Sequence, residues 1–325
     1  MTAPGSLVVS FDTELIWGSF DHTTADGFER RYPDVRGTIG DLLQLLDRYQ
    51  VPVTWAVLGH LFLARCERGA DGRAHPELIH PQQRWFGGPW LAADPCTDRA
   101  RDPLWYGDDI LDAIQGARTA HEIGCHSFSH ALFDDPDLTE AAVRSDLDAC
   151  RRVAATRGIE LRSFAFPRNR EGHHRLLRDA GFVAFRGADP TWYRSLPGVP
   201  RRAAHFADQI AALPPAVSHP VQAVPGLWNV AGSMLLLHRS GMRRVIPIAS
   251  RIAKARLGLR RAVRSGAVFH LWTHPFNLAS DRAGLLGALE AILRDAVALR
   301  EGGRLRIETM GEVAARQGSA DRGAA

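Results

Sequence analysis

Leu7-Val-Val-Ser-Phe-Asp-Thr-Glu14 begins as a short, mostly apolar run and ends abruptly in two acids. That composition predicts a buried strand whose last residues leave the core. Comparable runs recur at Val53–Leu58, Glu122–Cys125, Ser163–Phe166, Val183–Phe185, Val268–Trp272 and Leu305–Ile307. Between them lie helix-period segments: the stripe Ile39, Leu42, Leu43, Leu46, the run that opens at Thr139-x-x-Ala142 and continues through Val143, Leu147 and Cys150, and Arg282–Arg300. Strands alternating with helices predict a parallel α/β architecture.

With 325 residues and 45% apolar composition, the chain can bury a large core, and one barrel-type domain over residues 1–317 is expected. Two Pro- and Gly-rich stretches break the rhythm, one over about 66–106 and one from 195, where irregular structure gives way to a basic helix ending near 265. Both are read as loop-rich insertions that supply specificity. Residues 318–325, small and polar, are expected to form a flexible tail.

No export signal precedes the first strand and no apolar stretch approaches bilayer length, so a cytoplasmic protein is expected. Cys66, Cys96, Cys125 and Cys150 lack C-x-x-C spacing and read as reduced packing residues. A formal net charge of +4 calls for no nucleic-acid partner. The cations cluster at 239–264 (Arg239, Arg243, Arg244, Arg251, Lys254, Arg256, Arg260, Arg261, Arg264). This segment reads first as a solvated helix face, with a phosphate-bearing substrate or anionic lipid headgroups as the alternatives. Oligomeric state is not legible.

In a closed α/β barrel, reactive groups come from the C-terminal ends of several strands. Asp12 and Glu14 follow the first predicted strand, His126-Ser-Phe-Ser-His130 the third, Arg168 the fourth, and His274 the strand that starts near Val268. Two histidines four residues apart would share one side of a helical turn. A carboxylate from another strand end would complete a two-His, one-carboxylate metal set with a position open for water, which points to hydrolysis. Such a set accepts zinc first, with cobalt or nickel as alternatives.

The motifs His121-Glu-Ile-Gly-Cys-His-Ser-Phe-Ser-His130, Ser10-Phe-Asp-Thr-Glu14, Val51-Pro-Val-Thr-Trp55 and Phe269-His-Leu-Trp-Thr-His-Pro275 resemble, in order, those of the polysaccharide deacetylase (NodB-homology) family. The resemblance spans most of residues 6–312 outside the two insertions. It implies a distorted (β/α)7 TIM-like barrel and a metal-dependent hydrolase acting on linear amides in carbohydrate metabolism. His126 and His130 match the family's metal ligands, Asp12 its base and His274 its acid. The family's first motif has adjacent aspartates, whereas here Thr13 intervenes. Glu14 is therefore taken for the metal and Asp12 for the base, the exchanged assignment being the alternative. The family also places a base-positioning Arg in Phe-Arg-x-Pro. This chain has Phe164-Ala-Phe-Pro-Arg168, so Arg168 either substitutes or binds substrate.

Alternation on the last strand puts His270, Trp272 and His274 on one face. His270 reads as a core histidine or a pocket residue, and Trp272 and Trp192 as candidates for stacking on a sugar. The expected substrate is an N-acylated amino sugar, acetylated in the first instance, within a glycan, glycolipid, nucleotide-sugar or secondary-metabolite precursor. The rivals are a ring-opening amidohydrolase of the allantoinase or cyclic-imidase kind and a catalytically silent sugar-binding relative.

Overall fold

The computed structural model describes residues 3–324. Its strands are β1 (Gly5–Thr13), β2 (Thr54–Val57), β3 (Glu122–Cys125), β4 (Ser163–Ala165), β5 (Ala184–Arg186), β6 (Val221–Val224), β7 (Leu227–Asn229), β8 (Met234–Leu235), β9 (Val268–Thr273) and β10 (Leu305–Ile307). They form one curled sheet in the order β6-β7-β5-β4-β3-β2-β1-β9-β8, with β10 added on β1. Every pairing is parallel except β6 with β7. With helices packed around it, this curled half-barrel is consistent with the expected α/β distorted barrel, built from ten strands where seven were expected.

The first motif holds the centre. Every residue of β1 is buried. One edge pairs with β9 over Ser6–Phe11, while the other meets β10 at Gly5–Leu7 and β2 at Ser10–Thr13. The outer helices begin where the sequence has caps: Asp34 accepts from Gly37 N–H at 2.9 Å, Thr139 from Ala142 N–H and Asp281 from Gly284 N–H, both at 3.2 Å. The predicted stripe Ile39, Leu42, Leu43, Leu46 faces the core from the helix Val35–Tyr49.

Three expectations change. The stretch from 195 holds three strands, β6 to β8, of two to four residues, too short and too interrupted by Pro and Gly for periodicity to show. Residues 318–324, expected as a tail, are the last turns of the helix Met310–Ala324, and Ala325 lies outside the described residues.

The basic segment is a turn, Gly241–Val245, followed by the helix Ile248–Ser265, and two of its cations, Arg251 and Lys254, point inward. Arg251 is buried and donates to the Leu237 and Arg243 carbonyls, and Lys254 is buried against Asp208. Arg256 pairs with Asp295, and Arg261 donates to the carbonyls of Pro214 and Pro215. Among the described residues no helix is long and apolar enough to cross a membrane.

Candidate active site

The two acids of the first motif leave β1 toward the mouth of the half-barrel. Side chains two apart on a strand share a face, so Ser10 and Asp12 both enter the interior. Glu14 stands one step beyond the strand, where Leu15 takes a left-handed φ of 48° and turns the chain. Gly18 leaves room for this carboxylate: a Cβ there would lie 1.9 Å from Glu14 Oε1 and would displace it.

His126 and His130 do not sit on a helical turn. They belong to a loop after β3 in which Ser127 and His130 have φ of 60° and 59°. The loop is held from outside. Ser127 carbonyl accepts from Gly59 N–H at 2.7 Å, and the buried Asp146 carboxylate accepts from Phe128 N–H at 2.7 Å and from Ser129 N–H and O–H at 3.1 and 2.7 Å. Asp146 lies on the helix Glu140–Ala155 and carried no motif signal in the sequence.

The result is convergence. His126 Nε2 and His130 Nε2 lie 2.8 and 3.0 Å from the same oxygen, Glu14 Oε2, and all three residues are buried. His126 Nδ1 donates to Ala165 carbonyl at 2.8 Å, so the neutral ring turns a lone pair, not a hydrogen, toward the carboxylate. His130 Nδ1 has no partner among the described residues. Lone pairs converging on one point, with a carbonyl fixing one imidazole from behind, fit a divalent cation. Burial opposes ionisation of Glu14, but His130, His274 and His126 hold its pKa well below the usual range. Burial likewise lowers His126, yet Asp12 and Glu14 outweigh it and raise that pKa, whereas for His130 burial wins and the net shift is downward.

Asp12 has a different partner. Arg186, at the end of β5, clamps it with Nη1 on Oδ1 at 2.6 Å and Nη2 on Oδ2 at 2.5 Å. Its guanidinium also reaches Ser10 Oγ at 3.1 Å and Asn169 Oδ1 at 3.2 Å, and lies 4.1 Å over the Trp272 ring. Burial would raise the Asp12 pKa, but Arg186, with His126 and His274, keeps it below the usual carboxylate range. Arg168, the sequence candidate, instead pairs with Asp21 at 2.7 Å, covers the Trp85 ring and lines the cleft.

His274 closes the group, its Nε2 lying 3.4 Å from Glu14 Oε1 and 3.8 Å from Asp12 Oδ2. Asn277 Nδ2 can only donate, so its 3.2 Å contact makes His274 Nδ1 the acceptor and leaves the proton on Nε2, facing the site. The remaining candidates stand apart from the open cleft. His270 is fully buried, bound to Ser10 Oγ at 2.8 Å and Val230 carbonyl at 2.9 Å, and burial pushes its pKa down to about 3. Trp272 is buried beneath Arg186 and donates to Asp189 Oδ1 at 2.8 Å. Trp192 is exposed on a separate cleft beside Tyr193 and Asp208.

The cleft over Glu14, His130 and His274 has a volume of about 220 Å³ and is walled by Phe28, Tyr32 and Phe276. His22, from the loop after the first strand, also lines it.

No family model matches the chain, and no curated protein does. The fold is shared with solved structures. A Mycobacterium smegmatis protein assigned as a polysaccharide deacetylase superposes with a TM-score of 0.63 at 17% identity, covering 98% of this chain and 94% of that one. Puue allantoinase gives 0.56 at 12%, covering 95% and 88%. A Pseudomonas aeruginosa PAO1 protein also assigned as a polysaccharide deacetylase gives 0.55 at 13%, with the same coverage. Two of these three carry the assignment that the sequence motifs resemble.

Proposed function

We propose that the chain is a metal-dependent amide hydrolase that removes an N-acyl group, acetyl in the first instance, from an amino sugar. The observation that carries this reading is the meeting, at one cleft, of a two-His, one-carboxylate set with a separately clamped carboxylate and an imidazole whose proton faces both.

Glu14, His126 and His130 would hold the cation, zinc before cobalt or nickel, which polarises an amide carbonyl and lowers the pKa of water toward ~7. Asp12 takes the proton of the attacking water. The bidentate Arg186 keeps that carboxylate ionised and fixes its plane, as a general base needs. This division of labour supports Glu14 for the metal and Asp12 for the base rather than the exchange. His274 acts as the imidazolium, its Nδ1–H meeting the Asn277 amide turned to present Oδ1, and gives its Nε2 proton to the leaving nitrogen, so that amide and water become carboxylic acid and amine. Phe28, Tyr32 and Phe276 offer an apolar wall to the acyl group or sugar face, and Arg168 and His22 offer polar contacts at the rim. A cleft of about 220 Å³, below the ~300–1,000 Å³ of most small-molecule sites, suits one sugar unit at a time.

The test is mass spectrometry of products after the metal-loaded protein meets N-acetyl and N-formyl amino sugars, their nucleotide and lipid-phosphate conjugates, and cyclic ureides. Metal-dependent loss of an acyl group is expected. Addition of water to a cyclic ureide would transfer the chain to the ring-opening chemistry named for its allantoinase neighbour. Binding of sugars without any product would make it a silent relative.

Membrane contact is proposed at a narrower place than the whole basic segment. Met242 and Val245 are 81% and 64% exposed in the turn Gly241–Val245, beside Val199 at 75%. Arg201, Arg202 and Arg243 line one open cleft with Val199 and Met242, and Arg244 is the exposed neighbour of Val245 in the chain. Exposed apolar side chains beside arginines suit an anionic membrane face.

A further inference from the structure

We propose that His60, Cys66, His75 and Asp94 form a second metal site, of the closed structural zinc type, that fastens the 66–106 segment to the mouth of the half-barrel. It is separate from the Glu14 group and does not depend on the hydrolase reading. His60 comes from the turn Gly59–Phe62 just after β2, and the other three come from the segment itself. His60, His75 and Asp94 are buried and Cys66 is half-buried.

Hydrogen-bond accounting identifies the cluster. His60 Nδ1 lies 3.0 Å from Trp105 carbonyl and His75 Nδ1 lies 3.2 Å from Glu77 Oε1. Both partners are oxygens that only accept, so each Nδ1 carries the hydrogen and each neutral ring presents its Nε2 lone pair. Those two Nε2 atoms face one oxygen, Asp94 Oδ2, at 2.9 and 2.7 Å. Cys66 Sγ sits 3.6 Å from His60 Nε2 and 3.5 Å from the same Oδ2. Two nitrogen lone pairs, a carboxylate oxygen and a sulfur are thus turned toward one another, all four within 4.8 Å. A cation at their centre satisfies every one. Without it, both rings keep their Nδ1 contacts and still donate to Asp94 only as imidazolium, two charges side by side in a buried site with one buried carboxylate between them.

The donor set names the metal class. Thiolate with two imidazoles and a carboxylate suits zinc and disfavours magnesium or calcium, and four protein ligands leave no position for substrate. The surroundings agree. Each histidine is held from behind by a carbonyl or carboxylate, as metal-bound histidines usually are. Cys96 N–H fixes Asp94 Oδ1 at 2.8 Å, and Tyr106 O–H, 3.2 Å from Cys66 Sγ, can donate to a thiolate. Cys66 is therefore not the packing residue that its spacing implies.

The site bears on the cleft through the His126–His130 loop. Gly59 and His60 N–H donate to the Ser127 and Phe128 carbonyls at 2.7 and 3.1 Å, and the Phe128 ring lies 5.8 and 5.3 Å from the rings of His60 and His75. The fastened segment carries Trp90, whose Nε1 donates to Ser129 carbonyl at 2.5 Å.

The deciding experiment pairs metal analysis with cobalt substitution of the full chain. The wild type should hold two equivalents of zinc. After exchange for Co2+ it should show a near-ultraviolet sulfur-to-cobalt charge-transfer band, which the sulfur-free Glu14 group has no thiolate to produce. Cys66→Ser should lose the band and one equivalent, whereas His126→Ala should lose the other equivalent and keep the band. A wild-type protein with a single equivalent, abolished by His126→Ala, and no thiolate band would overturn the proposal even if the Cys66 variant fails to fold. Since the readout is spectral, failure of the hydrolase reading would leave this result untouched.

Discussion

Arg186 clamps Asp12 from outside the motif in which the resemblance implies an arginine. In the Phe-Arg-x-Pro pattern that the chain resembles, the arginine position is occupied by Ala165. In the sheet, Ala165 on β4 is paired in register with Arg186 on β5. The guanidinium thus reaches Asp12 from one strand further along, a substitution visible only once the strands are side by side. Two outcomes follow. Arg186→Lys keeps the charge but loses the bidentate fork, so the acidic limb of kcat/KM should move up by ~1 pH unit while bound metal is retained. In an Arg186→Ala background, Ala165→Arg should recover part of the lost kcat. An unshifted pH profile would remove Arg186 from the role of positioning the base. Gly18 offers a test of the metal assignment. Gly18→Ala forces the Glu14 carboxylate away and should weaken metal binding by ~10–100-fold, measured by competition with a chelator, with the fold intact by circular dichroism.

At the scale of elements, the strand ends were legible and the loop between the histidines was not. Apolar runs locate β1, β2, β3 and β9 to within a residue or two, because buried parallel strands are nearly uninterrupted apolar sequence. His-x-x-x-His implies a helical turn by spacing alone, whereas Ser127 and His130 are left-handed, a conformation set by tertiary bonds from Gly59 and Asp146. Asp146 makes this support measurable. Burial opposes its three hydrogen-bond donors and lifts its pKa to about 6, above the ~3.9 of an unfolded aspartate. The folded chain therefore holds the proton more tightly than the unfolded one. The stabilising contribution is full below pH ~4 and is lost as the pH rises through about 6, a change on the order of 3 kcal/mol. Asp146→Asn cannot titrate, so the Tm advantage of wild type over this variant should shrink between pH 4 and pH 7. A constant difference across that range would mean that the three hydrogen bonds offset burial and the Asp146 pKa is not raised in the folded protein.

At the scale of the whole molecule, the parallel α/β architecture was readable from strand–helix alternation, but the disposition of charge was not, since sequence cannot say which cations turn inward. Arg251 and Lys254 are consumed inside, whereas exposed cations stand on the outer face of the helix Ile248–Ser265 (Arg260, Arg264), on the Gly241–Val245 turn and on the helix Gly198–Ile210. That surface connects to the cleft. Arg243 contacts His238, and the His238 ring meets Tyr32, which lines the wall over Glu14. A substrate carried on a lipid phosphate would then enter the cleft beside the membrane face that holds it. Four arginines near an anionic surface contribute ~1 kcal/mol each, and the attraction decays within a Debye length of ~8 Å at physiological salt. The protein should therefore sediment with phosphatidylserine-containing vesicles at low salt, release at high salt, and ignore neutral vesicles. Met242→Asp should weaken that binding severalfold while leaving turnover of a soluble N-acetyl amino sugar unchanged, because Met242 does not line the cleft over Glu14. Equal binding to neutral and anionic vesicles, or no binding to either, would return the turn to the role of a solvated surface.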